Sequence, residues 1–252
     1  MSFQAKRMER QMNGYLDIHS HILPGVDDGS KDMDTTMQMI GQAYDEGVRY
    51  MVATPHFYPG HKNADSVQIK QVFEAVIKES AMCYPDMTLM LGNEIYYKDE
   101  VIKILSQGDI YTLNASRYVL VEFNVAMEFE KIAQAVRKLT MKGYYPILAH
   151  VERYAALYKK EELIDELIRM GAYIQVNAET LMGNMFDGYK KYCMKLFANG
   201  KVHFLGSDCH NTDSRRAIME QAVRKLKKKI DPDILKKVLE DNPKQFLKGE
   251  FI

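Results

Sequence analysis

Asp17-Ile18-His19-Ser20-His21 is the stretch from which the fold and the chemistry are read. Side chains alternate along a β-strand, so His19 and His21 share one face. Two imidazoles placed this way at a strand end can grip one metal ion. The segment behind them, Gly25-Val26-Asp27-Asp28-Gly29-Ser30, is a turn rich in glycine and carboxylate that can hold a further ligand over the same spot. A lone His-x-His pair is weak evidence, because a strand-end histidine is commonly a hydrogen-bonded structural residue. Repetition changes its weight: five of the seven histidines fall at expected strand ends, next to Asp, Glu or Pro.

Outward from that stretch, the pattern alternates between strand and helix. Expected strands are Tyr15–His19, Tyr50–Thr54, Thr88–Tyr96, Tyr118–Phe123, Tyr145–Ala149, Ala172–Asn177 and Val202–Gly206. Between them lie helical patterns at Asp32–Gly47, Asp65–Cys83, Glu100–Ser106, Phe129–Lys142, Glu161–Met170 and Tyr189–Asn199, the last three stopped by Gly143, Gly171 and Gly200. Arg215–Leu247 reads as two or three further helices. Strand–helix alternation implies an α/β protein with a parallel sheet and right-handed crossovers. A distorted (βα)7 TIM-like barrel fits best, forming a single domain over residues 14–252 after an N-terminal extension of residues 1–13. An open doubly wound sheet is the alternative, weakened by the lack of a Gly-rich phosphate loop after the first strand.

Composition is that of an ordinary globular chain, with 46% apolar and 27% charged residues in 252. The 34 basic and 34 acidic residues cancel, so no global field favours nucleic acid, and the basic run Arg224–Lys229 suits a solvated helix face. Cys83, Cys193 and Cys209 are odd in number and show no framework spacing, which points to reduced thiols and a cytoplasmic location. No apolar run approaches ~18 residues, so no membrane insertion is expected.

The C-terminal ends of the expected strands carry His19, His21, Asp28, His56, Glu94, Glu122, His150, Asp208 and His210. In a parallel barrel that face holds the active site. So many carboxylates and imidazoles on one face need cations between them, and the set suffices for a cluster of up to three ions if a carboxylate bridges two. Mixed imidazole and carboxylate donors without thiolates suit Mn²⁺, Fe or Zn²⁺. His61 and His203 lie outside the pattern, and Asp27 reads as a turn residue.

These same residues carry a family resemblance. Asp17-Ile18-His19-Ser20-His21, Thr54-Pro55-His56, Gly92-Asn93-Glu94, Ala149-His150-Val151-Glu152-Arg153 and Ser207-Asp208-Cys209-His210 resemble the polymerase and histidinol phosphatase (PHP) superfamily. Ile22-Leu23-Pro24-Gly25-Val26-Asp27-Asp28-Gly29-Ser30 and His150-Val151-Glu152-Arg153-Tyr154 are more similar to its branch of manganese-dependent bacterial protein-tyrosine phosphatases, encoded with capsule and exopolysaccharide genes. The likeness runs from Tyr15 to Phe246. It implies a PHP fold and hydrolysis of phosphotyrosine in a partner protein, a membrane-associated bacterial tyrosine autokinase. It also implies a partition of ligands: His19, His21, Glu94 and Asp208 for one ion; Glu94, Glu122 and His150 for a second; Asp28, His56 and His210 for a third. Phe57 and Tyr58 stand where many relatives carry a further histidine, so the substrate rim differs there.

Divalent ions lower the pKa of bound water toward ~7 and neutralise phosphoryl oxygens in the transition state. Arg153 and Arg215 are the candidate phosphate clamps, since a guanidinium binds phosphoryl oxygens in bidentate fashion. Asp208, His210 and a metal-bound water are the candidates for general acid. Two other hydrolytic readings compete. One is a phosphoesterase for a small metabolite such as histidinol phosphate. The other is a thiolate mechanism, because Cys209 to Arg215 has the Cys-x5-Arg spacing of cysteine-dependent tyrosine phosphatases. Against the thiolate, no glycine permits the tight loop and Asp213 would repel phosphate. A reading of another class is a catalytically inactive metal-binding regulator of polysaccharide assembly.

Overall fold

Apolar strands that are buried on both faces must be roofed by helices, and the chain alternates the two accordingly. The computed structural model describes residues 12–184 and 186–252. Its strands are β1 (Tyr15–Ser20), β2 (Val48–Ala53), β3 (His56–Phe57), β4 (Thr88–Leu91), β5 (Glu94–Tyr96), β6 (Tyr118–Glu122), β7 (Tyr145–Leu148), β8 (Tyr173–Asn177) and β9 (Phe204–Gly206). Every pairing is parallel: β1-β2-β4 form one sheet and β3-β5-β6-β7-β8-β9 the other.

Nine segments make seven barrel staves. Thr54-Pro55 separates β2 from β3 and Gly92-Asn93 separates β4 from β5, so each pair is one interrupted strand. The sequence pattern treats Thr88–Tyr96 as one strand and ends the second strand at Thr54; the structure breaks the former and continues the latter. Proline lacks the N–H a ladder needs. The gap is bridged by Gly92 N–H to Ala53 O at 2.9 Å and Asn93 Nδ2 to Pro55 O at 2.9 Å. On the other side, Ser20 bridges Cys209 in parallel, with His21 N–H to Cys209 O at 2.9 Å and Asp208 N–H to His19 O at 2.8 Å. The result is an α/β fold, a curled parallel sheet forming a distorted (βα)7 barrel.

The helices are α1 (Met33–Asp45), α2 (Ser66–Cys83), α3 (Val101–Gln107), α4 (Phe129–Met141), α5 (Glu161–Arg169), α6 (Gly188–Ala198), α7 (Met219–Lys227), α8 (Pro232–Lys236) and α9 (Asn242–Lys248), with a π-helical turn at Lys237–Asp241. Asp32 and Asp65 cap α1 and α2 through Thr35 N–H at 2.8 Å and Gln68 N–H at 2.7 Å. On α4, Ile132, Ala133, Val136 and Leu139 face inward at helical spacing and join the outer core between sheet and helices.

The barrel interior is a second apolar cluster, with Leu16, Ile18, Val52, Leu120, Ile147, Tyr173 and Phe204 from the strands. Its floor is closed by Phe246 and Leu247 of α9, and Tyr118 anchors the chain end by donating its hydroxyl to Glu250 O at 2.6 Å. Of the expected extension 1–13, only Met12 and Asn13 are among the described residues: Met12 packs on the inner cluster and Asn13 Oδ1 accepts from the Tyr50 hydroxyl at 3.4 Å.

Candidate metal centre

The inner faces of the strands change character from floor to mouth. Tyr118-Leu120-Glu122 on β6, Tyr173-Gln175-Asn177 on β8 and Val52-Thr54-His56 on the β2/β3 stave keep one parity from apolar to polar. β1 does not: Leu16 and Ile18 face the inner cluster, yet His19 and His21 also reach the mouth. The β1–β2 register slips between Asp17 and Ser20, an irregularity that re-aims a side chain. Asp17 Oδ1 holds this stretch by accepting from Ser207 N–H at 2.8 Å and His19 N–H at 3.3 Å. Gly206 makes room opposite, where a Cβ would lie 2.8 Å from His19 Cβ and 2.9 Å from Gln175 Nε2.

His150 and Asp208 end their strands with φ of 34° and 54°, left-handed values that are sparsely populated for such residues. The first starts the 3₁₀ turn Val151–Arg153 and swings Arg153 back over the mouth.

All nine sequence-predicted residues converge here. One group brings ligand atoms of His19, His21, Glu94 and Asp208 within 4.8 Å of one another. A second joins His21, Asp28, His56 and His210, and a third joins His56, Glu94 and Glu122. His150 Nε2 approaches Glu94 Oε1 at 2.9 Å and Glu122 Oε2 at 3.7 Å, so it borders the third group together with His56. The structure thus adds His21 to the Asp28–His56–His210 group, and it places His56 between two groups.

Whether a cation fits is answered by the polar atoms. Glu94 Oε2, His56 Nδ1, Glu122 Oε1 and His210 Nε2 are buried without a hydrogen-bond partner, and each belongs to one of these groups. Three imidazole nitrogens crowd Glu94 Oε2: His56 Nδ1 at 3.0 Å, His19 Nε2 at 3.2 Å and His21 Nε2 at 3.3 Å. Separations of about 3 Å are those of adjacent donors around one ion at about 2.1 Å. His19 Nε2 and His21 Nε2 face each other at 3.1 Å, a contact that a shared cation satisfies. The donors therefore fit divalent metal.

The outward ring nitrogens are set by their other neighbours. His21 Nδ1 donates to Asp27 Oδ2 at 2.8 Å, and His210 Nδ1 donates to Asp208 O at 2.9 Å, leaving both Nε2 atoms for the cluster. Asp27, read from sequence as a turn residue, does hold the turn by accepting from Gly29 N–H at 2.9 Å, but it also orients His21 and accepts from His56 N–H at 3.0 Å. Burial works against charge at both Glu94 and His19. Even so, the His19, His150 and His21 contacts hold Glu94 well below the carboxylate range, and the Glu94 and Asp208 charges raise His19. Divalent ions would displace the protons that balance this pocket.

Both arginines reach the same carboxylate. Arg153 Nη2 donates to Asp208 Oδ2 at 2.9 Å and Arg215 Nη2 to Asp208 Oδ1 at 3.0 Å. The Arg215 loop is folded back by Arg215 N–H to Asn211 Oδ1 and His210 N–H to Arg215 O, each 2.9 Å. On the rim, Tyr58 stacks on Tyr96 at 5.0 Å and lies 5.2 Å from the His56 ring. Asn63 pins it by accepting from Tyr58 N–H at 2.7 Å and donating to Tyr58 O at 2.9 Å.

Cys209 is fully buried, and burial pushes its thiol up to about 12. The Cys-x5-Arg spacing is therefore fortuitous: this thiol is neither accessible nor ionised. His203 lies on the far side of β8, where Nδ1 accepts from Ile174 N–H at 3.1 Å, and His61 is an exposed edge against Tyr58. Sequence reasoning missed Gln175 and Asn177. Gln175 Oε1 lies 2.8 Å from His150 N and 3.3 Å from His19 Nδ1, and Asn177 Nδ2 lies 2.9 Å from Asp208 Oδ2. A buried parallel strand usually reads as continuous apolar residues, so amides alternating with Ile174 and Val176 were the available signal.

Fold and site together define a parallel barrel with a candidate metal-binding cluster of imidazoles and carboxylates at its mouth and two guanidiniums beside it. The chain belongs to the CpsB/CapC family of capsular polysaccharide synthesis, whose model matches residues 15–248. It is 35% identical over 242 residues to the tyrosine-protein phosphatase CpsB of Streptococcus pneumoniae, covering 94% of this chain and 100% of the relative. It superposes with a TM-score of 0.86 and 28% identity on a solved chain from a study of YwqE of Bacillus subtilis and CpsB of Streptococcus pneumoniae, described as unique metal-dependent tyrosine phosphatases. That match covers 94% of this chain and 96% of the other. The phosphotriesterase homology protein of Escherichia coli, at 12% identity and a TM-score of 0.61, covers 93% of this chain and 99% of its own and shares the fold alone.

Proposed function

We propose that this protein hydrolyses phosphotyrosine in proteins at a divalent-metal centre, and that its substrate is a membrane-associated bacterial tyrosine autokinase controlling capsule or exopolysaccharide synthesis. The observation that carries this is the convergence of nine imidazole and carboxylate side chains, with four buried ligand atoms left unpaired, beside two guanidiniums. His19, His21, Glu94 and Asp208 would hold one ion, Glu94, Glu122, His150 and His56 a second, and Asp28, His56, His210 and His21 a third, with Mn²⁺ as the native metal. Bound there, the ions supply a hydroxide at neutral pH and neutralise phosphoryl oxygens.

The chain's own residues supply the rest. Arg153 and Arg215 exchange an Asp208 oxygen for phosphoryl oxygens, which they clamp from two sides. His210 and Asp208 are the side chains proposed to carry the proton to the leaving oxygen. Tyr58 and Tyr96 form an aromatic wall that suits the phenol ring of a phosphotyrosine. The catalytic unit spans residues 14–252, and the protein works in the cytoplasm without inserting into the membrane; among the described residues no helix is long and apolar enough to cross one.

The deciding experiment compares turnover of a phosphotyrosyl peptide and of histidinol phosphate by the Mn²⁺-loaded protein. A higher kcat/KM on the peptide supports the proposal. A preference for histidinol phosphate transfers the site to small metabolites, and no turnover of either leaves a metal-binding regulator.

A further inference from the structure

β8 is the one barrel stave that contributes no candidate ligand, yet its inner face at the mouth is polar and fully buried, with Gln175 and Asn177 one above the other. The directions of their hydrogen bonds are forced by a single backbone group. His150 N–H can only donate, and it does so to Gln175 Oε1 at 2.8 Å. That fixes which end of the Gln175 amide is oxygen. His19 Nδ1, 3.3 Å from the same oxygen, must then be the donor, so Nδ1 carries the proton and the Nε2 lone pair faces Glu94 and Asp208.

The other end of the amide continues the chain. Gln175 Nε2 donates to Asn177 Oδ1 at 2.8 Å, which turns Asn177 Nδ2 toward Asp208 Oδ2 at 2.9 Å. Arg153 takes that same oxygen, while Oδ1, which accepts from Arg215 Nη2 at 3.0 Å, faces His19 Nε2 at 3.4 Å and His21 Nε2 at 3.5 Å. Asn177 cannot drift, because its own N–H is held by Glu152 Oε1 at 3.0 Å, an oxygen that also accepts from the Thr180 hydroxyl at 2.8 Å.

We propose that Gln175 and Asn177 are positioning residues: a directional amide relay that sets the His19 tautomer and the Asp208 carboxylate for one divalent cation. The relay rests on the metal-centre reading above and is independent of which phosphate ester is the substrate. Neighbours of this kind, which orient ligands without touching metal, are worth about 10–100-fold in metal affinity.

The test is Mn²⁺ titration of chelator-stripped protein against a competing fluorescent chelator, for the wild type, Gln175→Leu, Gln175→Glu and Asn177→Ala. Gln175→Leu and Asn177→Ala should weaken the tightest binding by about 10–100-fold. Gln175→Glu keeps the acceptor for His150 N–H and His19 Nδ1 but loses the donor to Asn177 Oδ1, so it should weaken binding as Asn177→Ala does. Thermal melting of each variant in chelator controls for folding, and Asn177→Ala alone carries the test if Gln175→Leu does not fold. Unchanged Mn²⁺ affinity in both truncations overturns the relay, as does a Gln175→Glu of wild-type affinity, which would make the amide donor to Asn177 dispensable. A wild type that binds no Mn²⁺ overturns the metal centre itself and the relay with it.

Discussion

The two ends of the barrel interior use the same strands for opposite purposes. At the floor, Tyr118, Tyr173, Phe204 and Phe246 pack ring against ring at 5.3–6.4 Å, and the only polar demands, such as the Tyr118 hydroxyl, are met by backbone. At the mouth, buried carboxylates and imidazoles lie about 3 Å apart with several atoms unpaired. Apolar burial stabilises the floor by itself. The mouth gains its stability only when its charges are compensated, since buried charge without a partner is costly. Stability and chemistry are thus separated along one axis, and substitutions at the two ends should separate them experimentally.

The largest effect is expected from Glu94→Gln. Glu94 faces His19, His21, His56 and His150 within 3.3 Å, so its loss should cut phosphotyrosine turnover about 10³-fold, roughly 4 kcal/mol, while leaving the chelated protein folded. Steady-state kinetics with melting curves check both halves. At the opposite end, Phe246→Ala should cost about 3–5 kcal/mol of stability, lowering Tm by about 10 °C, and leave Mn²⁺ affinity near wild type. If Phe246→Ala abolishes metal binding in the still-folded protein, the two ends are not independent.

Arg153→Ala should lower kcat/KM about 10²-fold, and Arg153→Lys should recover little of it because an ammonium lacks the planar fork. A lysine variant of full activity would reduce Arg153 to a simple positive charge.

The smallest effect belongs to His203, just before β9 and hydrogen-bonded to β8 at Ile174, away from the metal groups. Burial lowers it to about 4, against an unfolded value near 6.5. Its folded pKa is depressed, so the unfolded chain binds the extra proton first. Stability is therefore intact above pH ~6.5 and declines as pH falls toward about 4, by about 2 kcal/mol once partial exposure is allowed for. His203→Asn, which keeps an acceptor for Ile174 N–H, should flatten the urea midpoint between those pH values. An unchanged slope would mean other groups carry the acid sensitivity.

Much of this was legible in the sequence, for reasons that differ by residue. The seven staves announce themselves because buried parallel strands must be apolar and their ends here carry charged side chains. Helical patterns opening at Asp32 and Asp65 start where the structure has these two as caps, and Gly143 and Gly171, at positive φ, stop theirs. The nine candidate ligands stand out as titratable residues at strand ends. Less visible was whatever depends on three-dimensional closure. The breaks at Thr54-Pro55 and Gly92-Asn93 divide one barrel into two hydrogen-bonded sheets. The sequence suggests two or three helices after Arg215, without indicating that α9 seals the floor. Asp27, Gln175 and Asn177 act by orienting other side chains: the amides alternating with Ile174 and Val176 mark β8 as unusual without saying what they hold, and Asp27 reads as an ordinary turn residue. The sharing of His21 and His56 between groups is equally a product of geometry.

The central claim is that the mouth works through metal and not through the buried thiol. The direct measurement is turnover of a phosphotyrosyl peptide by chelator-stripped protein, before and after Mn²⁺ is restored, for the wild type and Cys209→Ser. The account predicts no turnover without metal, recovery with Mn²⁺, and a Cys209→Ser variant that follows the wild type throughout. Persistent turnover in the stripped wild type, lost in Cys209→Ser, would contradict it.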